Sequence, residues 1–159
     1  MKISRKMRRQ DRTMCKKETE EFVKANNLGH LGTLGIDGYP YVVPINYYYT
    51  AGKFILHSAL LGEKVDNIRA NPRVCFTVTN YNDIIPGDNP CAYAVNYQSA
   101  IAFGQAAIIE GEEKQALLQQ FAASFIKETG EVQLLPESME KVAVIVIEIE
   151  TMTGKKCCR

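Results

Sequence analysis

The 159-residue chain lacks tryptophan, has only two histidines, and contains no apolar run approaching the roughly 20 residues of a membrane-spanning helix. Charge of one sign is also missing, with 19 Lys and Arg against 18 Asp and Glu. This balance argues against nucleic acid or an anionic membrane as the main partner. No apolar segment follows the basic start, as an export signal would require. We therefore expect a soluble cytoplasmic protein with one domain over residues 1–159.

The common catalytic signatures are absent as well. The sequence has no phosphate-binding loop, no GxGxxG fingerprint, no HExxH helix and no GxSxG serine elbow. Its five cysteines have no zinc-site spacing, so we expect free thiols and no metal. Cys75 is predicted to lie in the core. The adjacent Cys157 and Cys158 form the one pair with potential reactivity.

Alternating apolar residues and turn signals dominate what is present. They predict six strands: His30–Leu34, Tyr39–Tyr49, Lys53–Ser58, Arg73–Thr79, Tyr97–Ile109 and Lys141–Met152. Three helices are predicted, over Lys16–Asn26 with Thr13 as its cap, from Gly62 to the stop at Pro72, and over Glu112–Glu128. Strands joined mainly by hairpins predict a mainly β protein, a small antiparallel barrel with attached helices.

Several single residues refine this prediction. Pro40 and Pro44 lack N–H donors, so their strand must lie at an edge or contain a bulge. Gly104 inside a long strand indicates a bulge or a close approach by another group. Residues 1–14 form a basic N-terminal arm, which we interpret as a solvated tail. The segment Tyr81–Pro90 is predicted to be a loop.

One local pattern predicts an anion site. Ser58 ends a strand, a helix begins at Gly62, and Lys64 lies in its first turn. The unpaired N–H groups at a helix start favour an anion, and a phosphate would also satisfy the Lys64 ammonium. Alternatively, Lys64 points to solvent and the neighbouring His57 is a hydrogen-bonded structural residue.

The tyrosines of the second strand allow two interpretations. Alternation places Tyr39, Tyr41, Tyr47 and Tyr49 on one face if no bulge intervenes. Such a face suits a flat ring or a subunit interface. The alternative is that these residues only favour the strand.

Ordered stretches along nearly the whole chain resemble the pyridoxamine-phosphate-oxidase-like flavoproteins, in particular their nitroimidazole-resistance (Nim-type) branch. The matching stretches are Met7–Arg12, His30–Leu34, Asp37–Tyr47, His57–Ile68, Asn71–Phe76, Tyr97–Gly104 and Thr153–Lys155. This resemblance implies a six-stranded split β-barrel that forms a homodimer, with FMN held in clefts at the dimer interface.

The resemblance also implies roles for individual residues. Val43, Pro44, Ile45 and Asn46 would contact the flavin ring system, and Ser58 and Lys64 would hold the phosphate. Ala59 would also belong to the cofactor site. His57 would lie close to the flavin and bind or protonate the substrate. Tyr97 and Ser99 would approach from the same or the other subunit. Relatives often have an arginine where this chain has Gln98, so an anion contact at that position is in doubt.

The implied activity is FMN-dependent reduction of a small planar substrate such as a nitroimidazole, with NAD(P)H as a transient electron donor. Oxidation of pyridoxamine phosphate is disfavoured, because the chain lacks a basic substrate-binding C-terminal segment. The alternative from another class is a non-catalytic flavin-binding, haem-binding or redox-sensing split barrel.

Overall fold

A computed structural model describes residues 7–125 and 136–157. The strands are β1 (Thr13–Met14), β2 (Leu28–Leu34), β3 (Pro40–Thr50), β4 (Lys53–Ala59), β5 (Arg73–Ile85), β6 (Ala94–Ile109) and β7 (Val142–Cys157). The α-helices are α1 (Lys16–Lys24), α2 (Glu63–Ala70), α3 (Gly111–Phe125) and α4 (Pro136–Glu140). None of these helices is long and apolar enough to cross a membrane.

The strands form one antiparallel sheet that closes into a ring. Their order is β1-β7-β4-β3-β2-β5-β6, and a further pairing of β6 with β7 closes the ring. The predicted barrel with six long strands is confirmed, and β1 is a two-residue addition that pairs only with β7. The interior is filled by apolar side chains including Leu31, Phe54, Phe76, Ile145 and Ile147.

β7 is covered on both faces over part of its length. Five consecutive residues, Ala143–Ile147, are buried. Ile145 and Ile147 face the barrel interior, while Val144 and Val146 pack with Leu118 and Phe121 of α3. Helix α3 therefore lies against the outside of the sheet, next to β4 and β7.

Several element boundaries differ from those predicted. Thr13 does not cap α1, because it pairs with Lys155 in β1. The cap is Cys15, whose Sγ accepts a hydrogen bond from the Glu18 amide, while the Glu18 carboxylate accepts one from the Cys15 amide at 2.8 Å. The predicted loop from Tyr81 is wrong at its start, since β5 continues to Ile85 with a register shift after Tyr81.

Other predictions extend beyond the described residues. The predicted end of the third helix at Glu128 lies outside them, as do Cys158 and the first six residues of the basic arm. Cys75 is half-buried rather than a full core residue, because its side chain lies on the opposite face of β5 from the buried Val74 and Phe76.

The inner tyrosines of β3 are core residues. Tyr47 and Tyr49 are buried and pack edge-on or tilted against Phe54 at 5.2 Å between ring centroids. The Tyr47 hydroxyl donates a 2.7 Å hydrogen bond to the Val23 carbonyl, and burial raises its pKa above the usual range. Tyr39, by contrast, is 75% exposed. Tyr47 and Tyr49 therefore fill the barrel rather than present a surface for a flat ring.

Gly104 marks a close approach of two backbones, as predicted. The β6–β7 register shifts between Phe103 and Gly104, and a Cβ at Gly104 would overlap the carbonyl oxygen of Glu148. Only glycine fits there without displacing β7. This bulge lets the two sixteen-residue strands curve around the barrel.

Candidate functional site

The ring of strands opens between β3 and β4. Their pairing runs from Thr50↔Lys53 to Tyr47↔Leu56 and then stops. Beyond it, β3 continues against β2 through Asn46↔Leu28 to Pro40↔Leu34, while β4 continues against β7 through Ala59↔Val142. We call this opening, bordered by residues 43–46 and 57–59, the β3–β4 cleft. Seven of the ten sequence-predicted site residues border it.

The free edge of β3 lines one side of the cleft. Among the described residues, no strand pairs with residues 40–46 on the side away from β2. Pro40 and Pro44 lie in this segment, as expected for prolines at an edge. Val43 and Ile45 pack their side chains on the barrel core, whereas Pro44 and Asn46 face outward. Because no strand pairs on the side away from β2, the backbone groups of residues 43–46 that point to that side are available to a ligand.

The side chain of Asn46 is held in place at the mouth of the cleft. Its amide nitrogen donates a 3.2 Å hydrogen bond to the carbonyl of Asn27, at the end of the segment that joins α1 to β2. This bond fixes the orientation of the amide. Asn46 is exposed, and among the described residues nothing donates to its side-chain oxygen, which can therefore accept a hydrogen bond from a ligand.

On the other side of the cleft, β4 presents its residues to two different faces. Phe54 and Leu56 point into the barrel and Ile55 points to α3. Alternation then places Ser58 on the inner face and His57 on the outer face. The structure thus brings His57 to the same face as Asn46, and it places Ser58 on the opposite face from both.

His57 lies against α3. Its ring contacts that of Phe121 edge-on, with 4.6 Å between centroids, and the other side of the imidazole is exposed. Burial against this apolar helix lowers the pKa of His57 from the usual value of 6.5. The imidazole is therefore neutral at pH 7, with one nitrogen as a donor and the other as an acceptor.

The start of α2 lies just beyond β4. Gly62 is its N-cap with φ 126°, a conformation that favours glycine, and no side chain caps the helix. A Cβ built on Gly62 would meet no atom within 4 Å, so the space in front of the helix start is open. Lys64 is half-buried in the first turn and forms no salt bridge among the described residues.

Acidic residues share this turn. Glu63 and Asp66 belong to the first turn of α2, which is the usual complement to the helix dipole. Asp66 forms a salt bridge with Arg69 at 3.6 Å.

Ser58, at the end of β4, already has a hydrogen-bond partner. Its hydroxyl donates to the carbonyl of Ala59 at 2.9 Å, so it must rotate to donate to a ligand.

The two remaining predicted residues lie elsewhere in the chain. Tyr97 and Ser99 pair with Cys157 and Lys155 near the C-terminal end of β7. Ser58 pairs with Ala143 near the other end of that strand. One chain therefore does not bring Tyr97 and Ser99 next to Ser58 along the sheet.

A cationic cluster surrounds Tyr97. The ammonium of Lys155 lies 5.5 Å from the centre of the Tyr97 ring. Burial alone would raise the pKa of the Tyr97 phenol, but hydrogen bonds and positive charge from Lys155 and Arg12 outweigh it and lower this pKa. Sequence reasoning assigned no role to Arg12 and Lys155. The sequence feature that could have indicated them is that Arg12 and Lys155 end two of the stretches that resemble the family, Met7–Arg12 and Thr153–Lys155.

A separate concavity lies outside the β3–β4 cleft. It has a volume of about 600 Å³ and lies between the end of α1, the β3–β4 turn and α3, with Lys24, Tyr48, Gln120 and Phe125 in its lining. None of the predicted cofactor-binding residues lines it. Those residues lie instead on an open surface, as expected if a second surface is needed to enclose a ligand there.

Comparison with known proteins identifies the class and then the family. The chain folds as a split barrel of the kind found in flavin-binding proteins, and residues 16–156 match the family model described as pyridoxamine 5'-phosphate oxidase. This protein belongs to that family, which confirms the resemblance found in the sequence.

Three solved structures and one curated relative illustrate the similarity. A candidate 5-nitroimidazole antibiotic resistance protein from Bacteroides thetaiotaomicron is 25% identical, with a TM-score of 0.78 over 91% of this chain and 86% of that one. A FAD-binding protein from Mesorhizobium loti is also 25% identical, with a TM-score of 0.68 over 92% and 98% of the two chains.

The flavocytochrome Anf3 from Azotobacter vinelandii shares the fold at 19% identity, with a TM-score of 0.84 over 97% of this chain and 73% of that chain. An uncharacterized protein of Rhizobium meliloti is 31% identical over 70 residues. That match spans 44% of this chain and 45% of the relative, which is less than half of either protein.

The environment of His57 predicts that the free energy of unfolding depends on pH. Its pKa in the folded protein is lower than in the unfolded chain, so the folded state binds this proton less readily. The resulting stabilisation is fully present above the ordinary histidine pKa of about 6.5 and is lost as the pH falls from there through the folded pKa. A proton NMR titration of the imidazole measures the folded pKa directly, and the spectrum of His57→Gln assigns the signal.

Phe121→Leu provides the matched variant, since it reduces the aromatic cover and should move the pKa of His57 upward. A folded pKa at or above 6.5 in the unsubstituted protein would contradict the assigned environment.

Proposed function

We propose that this protein is an FMN-dependent oxidoreductase that reduces a small planar, electron-poor substrate such as a nitroimidazole. The observation that carries the proposal is the β3–β4 cleft, in which an unpaired strand edge leads toward an uncapped helix start. A flat ring with hydrogen-bonding groups along its rim suits the strand edge, and a terminal phosphate suits the helix start.

The residues present fit FMN. The outward backbone groups of residues 43–46 and the fixed amide of Asn46 would hold the ring system. The amides at the start of α2, the Lys64 ammonium and the Ser58 hydroxyl would hold the phosphate. Lys64 has no acidic partner among the described residues, so its charge is available to a phosphate.

A second copy of the chain is the proposed cover of the cleft. The predicted cofactor residues are exposed or half-buried in the single chain, and exposed apolar side chains adjoin them: Val42 at 63%, Leu60 at 42% and Leu61 at 77%. Such a surface favours burial against another protein surface. A homodimer with two cofactors at its interface would cover it, and Tyr97 and Ser99 of the other copy would complete the site.

The chain's own residues orient the reactants rather than perform the redox step. FMN, when bound, supplies hydride or electron transfer to the substrate. The neutral His57 imidazole would lie beside the ring system and donate a hydrogen bond to the substrate. NAD(P)H is the proposed transient electron donor, because the sequence contains no dinucleotide fingerprint for tight binding.

Replacing Lys64 by Ala tests the phosphate site. Loss of a charge-assisted hydrogen bond should weaken FMN binding by about tenfold to a hundredfold. Fluorescence quenching of FMN upon titration with the protein measures the affinity. Lys16→Ala is the matched control, because Lys16 is 90% exposed on α1 and away from the cleft. Equal FMN affinity in the two variants would remove Lys64 from the site.

Anaerobic reoxidation tests the reaction itself. The protein is loaded with FMN, reduced photochemically without oxygen, and mixed with a nitroimidazole or with buffer. We expect the absorbance of oxidised flavin to return only with the nitroimidazole, and more slowly in His57→Gln. A reduced flavin that stays reduced with the nitroimidazole and with quinone substrates would favour a non-catalytic flavin-binding protein.

A further inference from the structure

Three segments that are far apart in the sequence meet around Tyr97. Thr13 pairs with Lys155 across β1 and β7, which brings Arg12 to this end of β7. Ser99 pairs with the same Lys155 across β6 and β7, and Tyr97 pairs with Cys157. Because paired and alternate residues share a face, the side chains of Tyr97, Ser99 and Lys155 lie on the same side of the sheet.

Positive charge is in excess at this place. Arg9 is satisfied by Asp11, which it contacts through two hydrogen bonds, and Lys156 contacts Glu18 at 2.6 Å. These contacts lower the pKa of each of the two carboxyl groups to about 2, so both remain ionised. No further acidic group among the described residues forms a salt bridge with Arg12 or Lys155.

Arg12 and Lys155 both act on the phenol of Tyr97: the Lys155 ammonium lies 5.5 Å from the centre of the ring, and the two cations lower the pKa of the hydroxyl. A neutral phenol balances neither charge. Tyr97, Ser99, Arg12 and Lys155 are all partly exposed, so a small molecule has access to them. Two cations and two hydroxyl groups that converge on one accessible place are the donor set that binds a carboxylate or a phosphate.

We propose that Arg12, Lys155, Tyr97 and Ser99 form a recognition site for one anionic group, a carboxylate or a phosphate, of a small molecule. Its donors lie far from Ser58 within one chain, and it rests on the proposed function to the extent that Tyr97 and Ser99 also approach the flavin of the other copy. The anion is either the acidic group of a substrate or the phosphate of a flavin.

The test compares Arg12→Gln and Lys155→Gln with Lys16→Gln, which removes an exposed charge from α1. Calorimetry at constant ionic strength measures the binding of inorganic phosphate to the purified protein with its cofactor. The same titration is made with para-nitrobenzoate and with its uncharged analogue para-nitrobenzamide. Thermal unfolding confirms that each variant is folded, and Arg12→Lys tests whether a restored charge rescues binding.

We expect Arg12→Gln and Lys155→Gln each to lower the affinity for the anionic probes by about fivefold to tenfold. Lys16→Gln should leave these affinities unchanged, and the affinity for para-nitrobenzamide should be the same in all variants. If FMN affinity is unchanged at the same time, the source of the anion is the substrate. If FMN affinity falls instead and inorganic phosphate competes with FMN, the source is the flavin phosphate. Unchanged affinity for phosphate, para-nitrobenzoate and FMN in both folded variants would overturn the proposal, and the Lys64 test of the flavin site would stand unaffected.

Discussion

The pairing of β7 with strands on both sides is the constraint on which the rest of the structure depends. β7 pairs with β4 from Val142 to Glu148 and with β6 from Val144 to Cys157, so it closes the ring. Its residues Val144–Ile147 fill the space between the barrel interior and α3. Because β7 already pairs with β4, the end of β4 stays in place where β3 leaves it. The β3–β4 cleft exists because β3 separates from β4 after Tyr47↔Leu56, while β7 stays paired with β4 as far as Ala59.

The two ends of β7 support the two surfaces for which we propose binding roles. One end supports Ser58 and the approach to α2, and the other brings Arg12, Lys155 and Tyr97 together. A single chain keeps these surfaces apart, and for this reason we propose that a second copy contributes to each site. The fold thus accounts for the exposure of residues that are expected to bind a cofactor.

Much of the fold could be predicted from the sequence, because its signals are local. The hairpin turn at Asp37-Gly38, the edge prolines of β3 and the bulge at Gly104 all follow from backbone properties of single residues. The prediction that Thr13 caps α1 was wrong because Thr13 pairs with Lys155 in β1. No local sequence signal reveals a pairing partner 142 positions away. For the same reason the cluster around Tyr97 could not be predicted, since it depends on the registers of β1 and β6 against β7.

The sequence order of β3 and β4 could indicate that seven of the predicted residues lie near one another, but not which way their side chains point. The sequence alternation of β4 already separates His57 from Ser58, but which of them faces α3 depends on how the helix packs. We propose that a flavin lies in a cleft that two copies of the chain complete. Sedimentation velocity, recorded at both the protein and the flavin absorption bands, tests it most directly. We predict that FMN sediments with a species of two chains, at one FMN per chain; FMN bound to a single chain, or a protein that takes up no FMN, would contradict it.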